Sequence, residues 1–189
     1  MLNSQLKNYV VKYSGFFDES FCKDIVLSIE SVNWNLHNFY NARTKQTQSH
    51  DHELSVSYEQ VPLKTQLDQA IWNILQQYVT KDMAYMSDWF NCWTGYSFSR
   101  FNRYNESTQM RLHCDHIHSL FDGERKGVPI LTVLGALNND YDGGEFMLCG
   151  EQIEFKAGEV LVFPSNFLYP HEVKPVKSGI RYSFVSWAW

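Results

Sequence analysis

The sequence contains few cysteines, no long apolar run and no repeated or low-complexity segment. Only four cysteines occur in 189 residues and none forms a CxxC pair, whereas a secreted disulfide framework of this size would be denser. No stretch approaches the roughly 20 apolar residues of a membrane span, and the first residues lack the apolar run of a signal peptide. We therefore expect a soluble, cytoplasmic protein with reduced cysteines and no membrane contact.

Positive charge is also in the minority. The chain carries 16 Lys and Arg against 21 Asp and Glu, a formal net charge of -5. This balance argues against a protein whose main function is to bind nucleic acid through its phosphates. One local basic group leaves an acidic peptide or, as a less favoured partner, a nucleic acid open as the substrate, although solvated surface charge is its simpler interpretation. Its members are Arg100, Arg103, Arg111, Arg125 and Lys126.

Because no linker interrupts the chain, residues 1–189 are expected to form a single domain. Its first part, residues 1–88, predicts a strand and two helices that support the core. Residues 9–13 form the β-like run, Asp18 or Ser20 caps the first helix, and Pro62 opens the second. Apolar side chains recur at helical spacing in both helices, at Phe21, Ile25, Val26 and Ile29 and at Leu63, Leu67, Ile71, Ile74, Leu75 and Tyr78.

A polar run, residues 41–53, lies between the two helices. A polar run of this length between ordered elements is either a mobile surface loop or a lid over a site. It contains His50 and His52 two positions apart, but no strand pattern surrounds them. A solvated loop is therefore the simpler interpretation of this pair.

The second part, residues 89–189, consists of short apolar runs separated by turn signals. The runs are residues 96–101, 129–134, 145–148, 152–155, 160–163 and 181–187, and Gly, Asn and Asp clusters punctuate them. About eight short strands with tight turns and no helices between them predict a jelly-roll or barrel-like double sheet. The expected fold class is mainly β with flanking helices.

Two histidines and an aspartate form the candidate metal site. On a strand, His113 and Asp115 would point to the same face, and His171 follows 56 positions after Asp115. Two histidines and one carboxylate make the facial triad of non-haem Fe(II) oxygenases, which leaves metal positions open for a cosubstrate and O₂. His116 and His118 compete with these residues as ligands.

Arg181 provides an independent signal, because it lies ten residues after His171 on the next predicted strand. 2-Oxoglutarate chelates iron through its 2-oxo acid end, and its far carboxylate needs a buried cation. A guanidinium offers a bidentate fork for that carboxylate.

These motifs, in this order and spacing, resemble the prolyl hydroxylase branch of the Fe(II)- and 2-oxoglutarate-dependent oxygenases. The resemblance runs from about residue 98 to residue 189. It is carried by Tyr104, His113-Cys114-Asp115, residues 130–138, Gly143-Gly144-Glu145-Phe146, residues 158–164, His171, Val173, Pro175-Val176, Gly179-Ile180-Arg181-Tyr182 and Trp187. It implies a double-stranded β-helix, the cupin-like jelly roll, as the core.

The resemblance also implies the roles of individual residues. His113, Asp115 and His171 would hold Fe(II), Arg181 would bind the far carboxylate of 2-oxoglutarate, and Tyr104 would donate a hydrogen bond to it. Two further residues share the predicted inward face with Arg181 and either line that pocket or belong to the core, namely Ser183 and Trp187. Where related enzymes carry a tyrosine on the second core strand this chain has none, and Thr132 is the candidate replacement.

The function implied by the resemblance is hydroxylation of an unactivated C–H bond, with 2-oxoglutarate converted to succinate and CO₂. The expected cofactors are Fe(II), 2-oxoglutarate and O₂, with ascorbate as a further candidate. The expected partner is a protein or peptide that presents a prolyl residue. A nucleobase or other small-substrate oxygenase and a non-catalytic 2-oxoglutarate-binding module are the alternatives, since one fold serves several functions. The oligomeric state is left open.

Overall fold

The computed structural model describes residues 4–41, 43–86, 95–115 and 128–189. Several residues singled out in the sequence lie outside these ranges: Trp89, Cys92, His116, His118, Arg125 and Lys126. Across the described ranges, no helix combines the length and the apolar character needed to cross a membrane.

The N-terminal part contains the helices. Its elements in chain order are α1 Ser4–Lys7, β1 Val11–Tyr13, α2 Glu19–Ile29, β2 Asn35–Leu36, β3 Phe39–Asn41, β4 Gln46–Gln48, β5 Ser55–Ser57 and α3 Lys64–Gln77. A π-helical turn, Tyr78–Asp82, and a 3₁₀ turn, Ala84–Met86, follow α3.

The remaining strands form the core. They are β6 Arg100–Tyr104, β7 Met110–His113, β8 Leu131–Ala136, β9 Tyr141–Gly143, β10 Phe146–Leu148, β11 Glu151–Ile153, β12 Val160–Pro164, β13 His171–Val173, β14 Val176–Gly179 and β15 Arg181–Ala188.

Two main antiparallel sheets are built from these strands, while β9 pairs with β14, and β3 with β4, in separate two-stranded sheets. The larger has the order β1-β12-β8-β15-β6-β5-β2 and the smaller the order β11-β10-β13-β7. Along the chain the core strands pass back and forth between the sheets: β6, β8, β12 and β15 belong to the large one, and β7, β10, β11 and β13 to the small one. This alternation is the double-stranded β-helix, so the expected jelly-roll core with supporting helices is confirmed.

The large sheet separates two apolar clusters, and β15 shows how. Tyr182, Phe184 and Ala188 pack against the helices, in a cluster that includes Ile25 of α2 and Ile71 of α3. Val185 and Trp187 instead face the interior between the two sheets. Because successive strand side chains alternate between faces, Arg181 and Ser183 belong to the interior row with them.

The helix starts follow local polar contacts. The Asp18 side chain accepts a hydrogen bond from the Phe21 N–H at 2.7 Å, which confirms it as the cap of α2. The second helix begins at Lys64 rather than at Pro62, because Leu63 has a left-handed backbone with φ of 69°. The buried ammonium of Lys64 then donates to the carbonyls of Tyr58 and Glu59.

Other boundaries differ from the sequence pattern for reasons of pairing. β1 begins at Val11, because Val10 N–H still bonds the carbonyl of Lys7 after α1. In the run 96–101, Tyr96 makes only an isolated bridge, and continuous pairing begins at Arg100. The polar run 41–53 contains β4, which pairs with β3 in a hairpin.

Candidate active site

Two paired strands of the small sheet hold the candidate metal ligands. His113 is the last residue of β7 and His171 the first of β13, and the two lie opposite each other in the antiparallel register. Their ring centroids are 4.4 Å apart. Asp115 follows His113 by two residues, so that all three side chains converge at this end of the strands.

The three residues have one ligand atom each within 4.8 Å of the others. Asp115 Oδ1 is 3.5 Å from His113 Nε2 and 3.6 Å from His171 Nε2. Asp115 and His171 are buried, whereas the His113 side chain is 25% exposed. Across the described ranges, this is the one group of three or more His, Cys, Asp or Glu residues arranged to hold a metal ion.

Backbone carbonyls set the tautomer of both histidines. His113 Nδ1 lies 2.7 Å from the carbonyl of Arg111, and His171 Nδ1 lies 3.0 Å from that of Tyr169. A carbonyl only accepts, so each Nδ1 carries the hydrogen and each Nε2 presents a lone pair. Such a bond to the second ring nitrogen is what orients a metal-binding imidazole.

A hydroxyl pair holds the other oxygen of Asp115. Thr132 Oγ1 donates to Asp115 Oδ2 at 2.6 Å and lies 2.6 Å from Ser165 Oγ. Since the Thr132 hydrogen is used on the carboxylate, Ser165 donates to Thr132. Asp115 Oδ1 is thereby left facing the two imidazole rings.

The electrostatics of the cluster favour positive charge at its centre. Burial alone would raise the pKa of Asp115, but His171 and His113 hold it well below its usual value. Burial alone would lower the pKa of His171, but the Asp115 carboxylate and the Tyr169 carbonyl raise it. Asp115 is therefore ionised, and a cation beside it is stabilised.

Arg181, at the start of β15, is a second charged group of the interior. It is 1% exposed, and its Nη1 donates to Ser183 Oγ at 3.1 Å. Its guanidinium carbon lies 5.0 Å from the ring centre of Tyr104 and 6.0 Å from that of Tyr141. Its Nε has no hydrogen-bond partner, and no carboxylate of the described residues pairs with it.

A cavity of about 140 Å³ opens beside Arg181. Apart from Arg181, its lining comes from residues within 141–155, in and beside β9, β10 and β11, including Tyr141, Gly144, Phe146 and Glu154. The larger cavity of the described residues, about 470 Å³ and mostly apolar, lies between the N-terminal residues and β12, and it contains none of the predicted site residues.

Comparison with known proteins identifies the core. The profile of the 2OG-Fe(II) oxygenase superfamily matches residues 99–189. These residues, just under half of the chain, resemble the 2OG-Fe(II) oxygenase superfamily. PKHD-type hydroxylases are also similar to this chain: that of Stenotrophomonas maltophilia (strain R551-3) is 33% identical over 94 residues, and that of Shewanella frigidimarina is 35% identical over 95. These matches cover 47% and 46% of this chain but only 41% of each relative.

Solved structures with the same fold extend over nearly the whole chain. A prolyl-4-hydroxylase from Pseudomonas putida has a TM-score of 0.67 at 18% identity, covering 100% of this chain and 98% of its own. A Trichoplax adhaerens prolyl hydroxylase, solved with a hypoxia inducible factor peptide fragment, has a TM-score of 0.67 at 21% identity, covering 100% and 87%. The viral collagen prolyl hydroxylase of Paramecium Bursaria Chlorella virus-1 gives 0.64 at 16%, covering 95% and 94%.

The remaining predicted residues lie at different places within residues 99–189. Tyr104 lies on β6 directly opposite Arg181 in the sheet register, and its ring faces the guanidinium. Ser183 and Trp187 lie on the interior face, as predicted, and Ser183 bonds Arg181. The Thr132 hydroxyl contacts Ser165 and Asp115, so Thr132 lies beside one of the candidate metal ligands.

The predicted basic group does not form one patch in the described part of the chain. Arg100 and Arg103 are both on β6 but project from opposite faces, Arg100 over the Trp187 ring and Arg103 over the Trp34 ring. His50 packs against Phe39 of the β3–β4 hairpin, with ring centres 4.7 Å apart. It is not part of the metal-type cluster, which consists of His113, Asp115 and His171.

Sequence reasoning missed two polar features, one within residues 99–189 and one in the N-terminal part. Ser165 was not singled out, although it directly follows the matched segment 158–164. The second feature is a buried pair in which His37 Nδ1 lies 2.9 Å from Glu53 Oε2. Glu53 belongs to the polar run 41–53, and neither partner carries a sequence pattern that predicts burial.

Proposed function

We propose that this protein is an Fe(II)- and 2-oxoglutarate-dependent dioxygenase that hydroxylates an unactivated C–H bond, and that its substrate is a prolyl residue of a protein or peptide. The observation that carries this proposal is the combination of two charged features inside one barrel. A His-Asp-His cluster with converging ligand atoms shares the interior with a buried arginine that has no carboxylate partner among the described residues.

The donor set fits Fe(II). Two imidazole lone pairs and one carboxylate oxygen converge, an arrangement that is repulsive without a cation between them. His113, Asp115 and His171 would hold the metal, and their number leaves further coordination positions free for cosubstrate and O₂. Bound there, iron supplies O₂ activation coupled to decarboxylation of 2-oxoglutarate, with succinate and CO₂ as products and the substrate C–H bond as the site of hydroxylation.

The environment of Arg181 fits the far carboxylate of 2-oxoglutarate. A buried guanidinium without an anion is energetically unfavourable, so a ligand carboxylate would remove a large desolvation penalty. The unpartnered Nε and the remaining Nη hydrogens offer the parallel donors that a carboxylate accepts. Ser183 would keep the fork in place, and Tyr104 would supply a further hydroxyl donor.

The other interior residues would exclude water. The rings of Phe163 and Phe146 pack on His171, with centroids 5.2 and 5.9 Å from that of the imidazole. This apolar wall leaves the exposed edge of His113 as the wetter side of the site. A substrate that approaches from that side would complete the exclusion of water from the reacting atoms.

The prolyl substrate is supported by the names of the similar proteins, which are prolyl hydroxylases, one of them solved with a peptide fragment. In this proposal residues 41–53, which include one strand of the hairpin, close over the peptide. Hydrogen exchange of these residues should slow when a proline-containing peptide binds to the iron- and 2-oxoglutarate-loaded protein. Unchanged exchange with demonstrated peptide binding would reject the lid.

The test of the proposed function begins without air. Purified protein is loaded with Fe(II) and 2-oxoglutarate, air is admitted, and succinate and the mass of a proline-containing peptide library are measured. Succinate formation and a mass increase of one oxygen atom on proline are expected. Asp115→Ala should abolish both, whereas Asp24→Ala, which removes an exposed carboxylate from α2, should not.

Two other outcomes would each contradict part of the proposal. Tight 2-oxoglutarate binding without succinate would indicate a non-catalytic binding module. Succinate without any peptide product, but with oxygen transferred to a nucleobase or another small molecule, would retain the dioxygenase and remove the prolyl substrate.

A further inference from the structure

We propose that Arg100 is the residue that selects the substrate, by binding a carboxylate that lies close to the hydroxylated residue. The substrate class is then an acidic peptide rather than a neutral or basic one. This inference rests on the proposed function, because it concerns the substrate of the same site.

The orientation of Arg100 follows from its strand. On β6, Arg100, Asn102 and Tyr104 alternate with Phe101 and Arg103, and β6 pairs with β15 so that Arg100 lies opposite Val185. Phe101 packs with the helices, whereas Tyr104 and Val185 belong to the interior cluster. Arg100 therefore points to the barrel interior and not to the outer surface.

The guanidinium of Arg100 is held in place by two contacts. Its Nε donates to Asn102 Oδ1 at 3.0 Å, and its central carbon lies 4.8 Å from the ring centre of Trp187. These two contacts restrain the guanidinium, and its outer N–H groups have no partner among the residues that the structure describes. The side chain is thus oriented before any ligand binds.

No anion of the described residues neutralises this cation. Among these residues, no carboxylate lies within ion-pair distance of Arg100. A half-buried, oriented arginine with free donors is well suited to recognise a carboxylate from outside the chain, since the fork geometry matches two oxygens.

Arg100 occupies a different place in the barrel from Arg181, the arginine that is proposed to bind 2-oxoglutarate. Trp187, on which it stacks, lies opposite Thr132, and Thr132 bonds Asp115. Two residues, Trp187 and Thr132, therefore lie between Arg100 and the carboxylate of Asp115. Arg181 is 1% exposed, whereas Arg100 is only half-buried and can be reached by a larger molecule.

An exposed aromatic side chain adds to this surface. Phe98 precedes Arg100 by two residues and is 68% exposed. An exposed apolar ring two residues before an oriented cation fits a peptide in which a proline is followed or preceded by an acidic residue. The same carboxylate chemistry is available from two sources, the side chain of Asp or Glu and the α-carboxylate of a free amino acid.

The experiment compares peptide selection by the wild type with selection by two arginine variants. A library of proline-containing peptides, with Asp, Glu, Asn, Gln, Lys or Ala next to the proline, is incubated with Fe(II)- and 2-oxoglutarate-loaded protein, and products are counted by mass spectrometry. Enrichment of Asp and Glu peptides is expected for the wild type. In Arg100→Gln, kcat/KM for these peptides should fall roughly ten- to a hundredfold, as expected for loss of a charge-assisted hydrogen-bonded pair.

Arg103→Gln is the matched control, because it removes the same charge from the same strand but from the opposite face. Its peptide ranking should equal that of the wild type. Arg100→Glu should invert the ranking towards Lys peptides. Free L-proline, tested alongside, distinguishes the two carboxylate sources, since preference for it over every peptide would contradict the acidic peptide.

A binding measurement keeps the inference separate from the proposed activity. The same library is captured anaerobically on immobilised protein and sequenced, so that selection is seen even if no peptide is hydroxylated. Identical rankings for wild type and Arg100→Gln in both assays would overturn the inference. A rise in the KM for 2-oxoglutarate in Arg100→Gln, with unchanged peptide ranking, would also overturn it and assign the residue to the cosubstrate.

Discussion

At the scale of single residues, Asp115 organises the candidate site. One of its oxygens faces both histidines and the other accepts the hydroxyl of Thr132. From the sequence, a cosubstrate contact that related enzymes often make through a tyrosine on the second core strand was expected to be missing or replaced by Thr132. Its hydroxyl is instead engaged with Asp115 and Ser165, which makes the orientation of the carboxylate its evident task.

Replacing Thr132 by valine should weaken metal binding. The side chain keeps its shape but no longer donates to Asp115, so the carboxylate loses its fixed orientation and Ser165 loses its acceptor. We expect the Fe(II) dissociation constant, measured by anaerobic titration, to rise about 10- to 100-fold. Thr132→Ser retains the hydroxyl and should stay close to the wild type. Equal affinities for the valine and serine variants would refute this role.

Gly144 is expected to position Arg181. A Cβ at residue 144 would lie 3.0 Å from Arg181 Cδ and 3.1 Å from Val176 Cγ2, and the backbone φ is 64°. In Gly144→Ala the arginine must shift, so the KM for 2-oxoglutarate should rise by roughly tenfold while kcat at saturation changes less.

Gly150→Ala is the control for backbone strain. Gly150 also has a positive φ, 79°, but an added Cβ there meets nothing within 4 Å. Both variants should lose roughly 1–2 kcal/mol of folding free energy, because a left-handed alanine is strained in each. A similar rise in KM in both would show that strain, and not displacement of Arg181, is responsible.

At the scale of elements, the N-terminal strand β1 joins the edge of the large sheet beside β12. Glu159, just before β12, contacts residues on both sides of this edge through its side chain. Its carboxylate accepts from Lys156 N–H and from Ser14 Oγ, both at 2.9 Å, and lies 3.5 Å from Lys12 Nζ. Burial alone would raise the pKa of Glu159, but these donors hold it below its usual value of 4.5.

The contribution of Glu159 to stability should therefore depend on pH. A carboxyl with a lowered folded-state pKa stabilises the fold fully above its unfolded pKa, and this stabilisation disappears as pH falls through the folded value. The free energy of unfolding of the wild type should exceed that of Glu159→Gln by about 1 kcal/mol at neutral pH, and this difference should disappear in acid. Denaturant unfolding between pH 7 and pH 3 measures this gap. Glu106→Gln, a change at an exposed side chain, should leave no such pH-dependent difference.

At the scale of the whole molecule, metal and cosubstrate should stabilise the barrel together, because their proposed ligands come from strands of both sheets. His113 and His171 lie in the small sheet, and Arg181 in the large one. At ligand concentrations about 100 times the dissociation constant, the gain is roughly 2.7 kcal/mol per site, which corresponds to about 5–10 °C in Tm.

This prediction is checked by anaerobic thermal unfolding with Fe(II), 2-oxoglutarate or both. His171→Ala should lose the response to iron. Arg181→Gln should keep the response to iron and lose the further increase with 2-oxoglutarate. An unchanged response of both variants would mean that the ligands bind elsewhere.

Much of the architecture could be predicted from local patterns. The short apolar runs and turn residues predicted the strands of the jelly roll, and the period of two correctly assigned Arg181, Ser183 and Trp187 to one face of β15. Boundaries were less accurate. Leu63, for example, takes a left-handed conformation, so that α3 begins only at Lys64. The buried ammonium of Lys64 donates hydrogen bonds to two backbone carbonyls, which the sequence pattern did not indicate.

The sequence by itself determined which side chains are able to bind a metal and a carboxylate, and which face of a strand each one occupies. Only the tertiary structure decided which strands are neighbours, and therefore that His171 lies opposite His113 and that Thr132 reaches both Asp115 and Ser165. It also decided that Arg181 is buried with no carboxylate partner in the described part of the chain, and that Glu53 is buried with His37. The reason is physical: periodicity is a property of one strand, whereas register and burial depend on contacts between segments far apart in the chain.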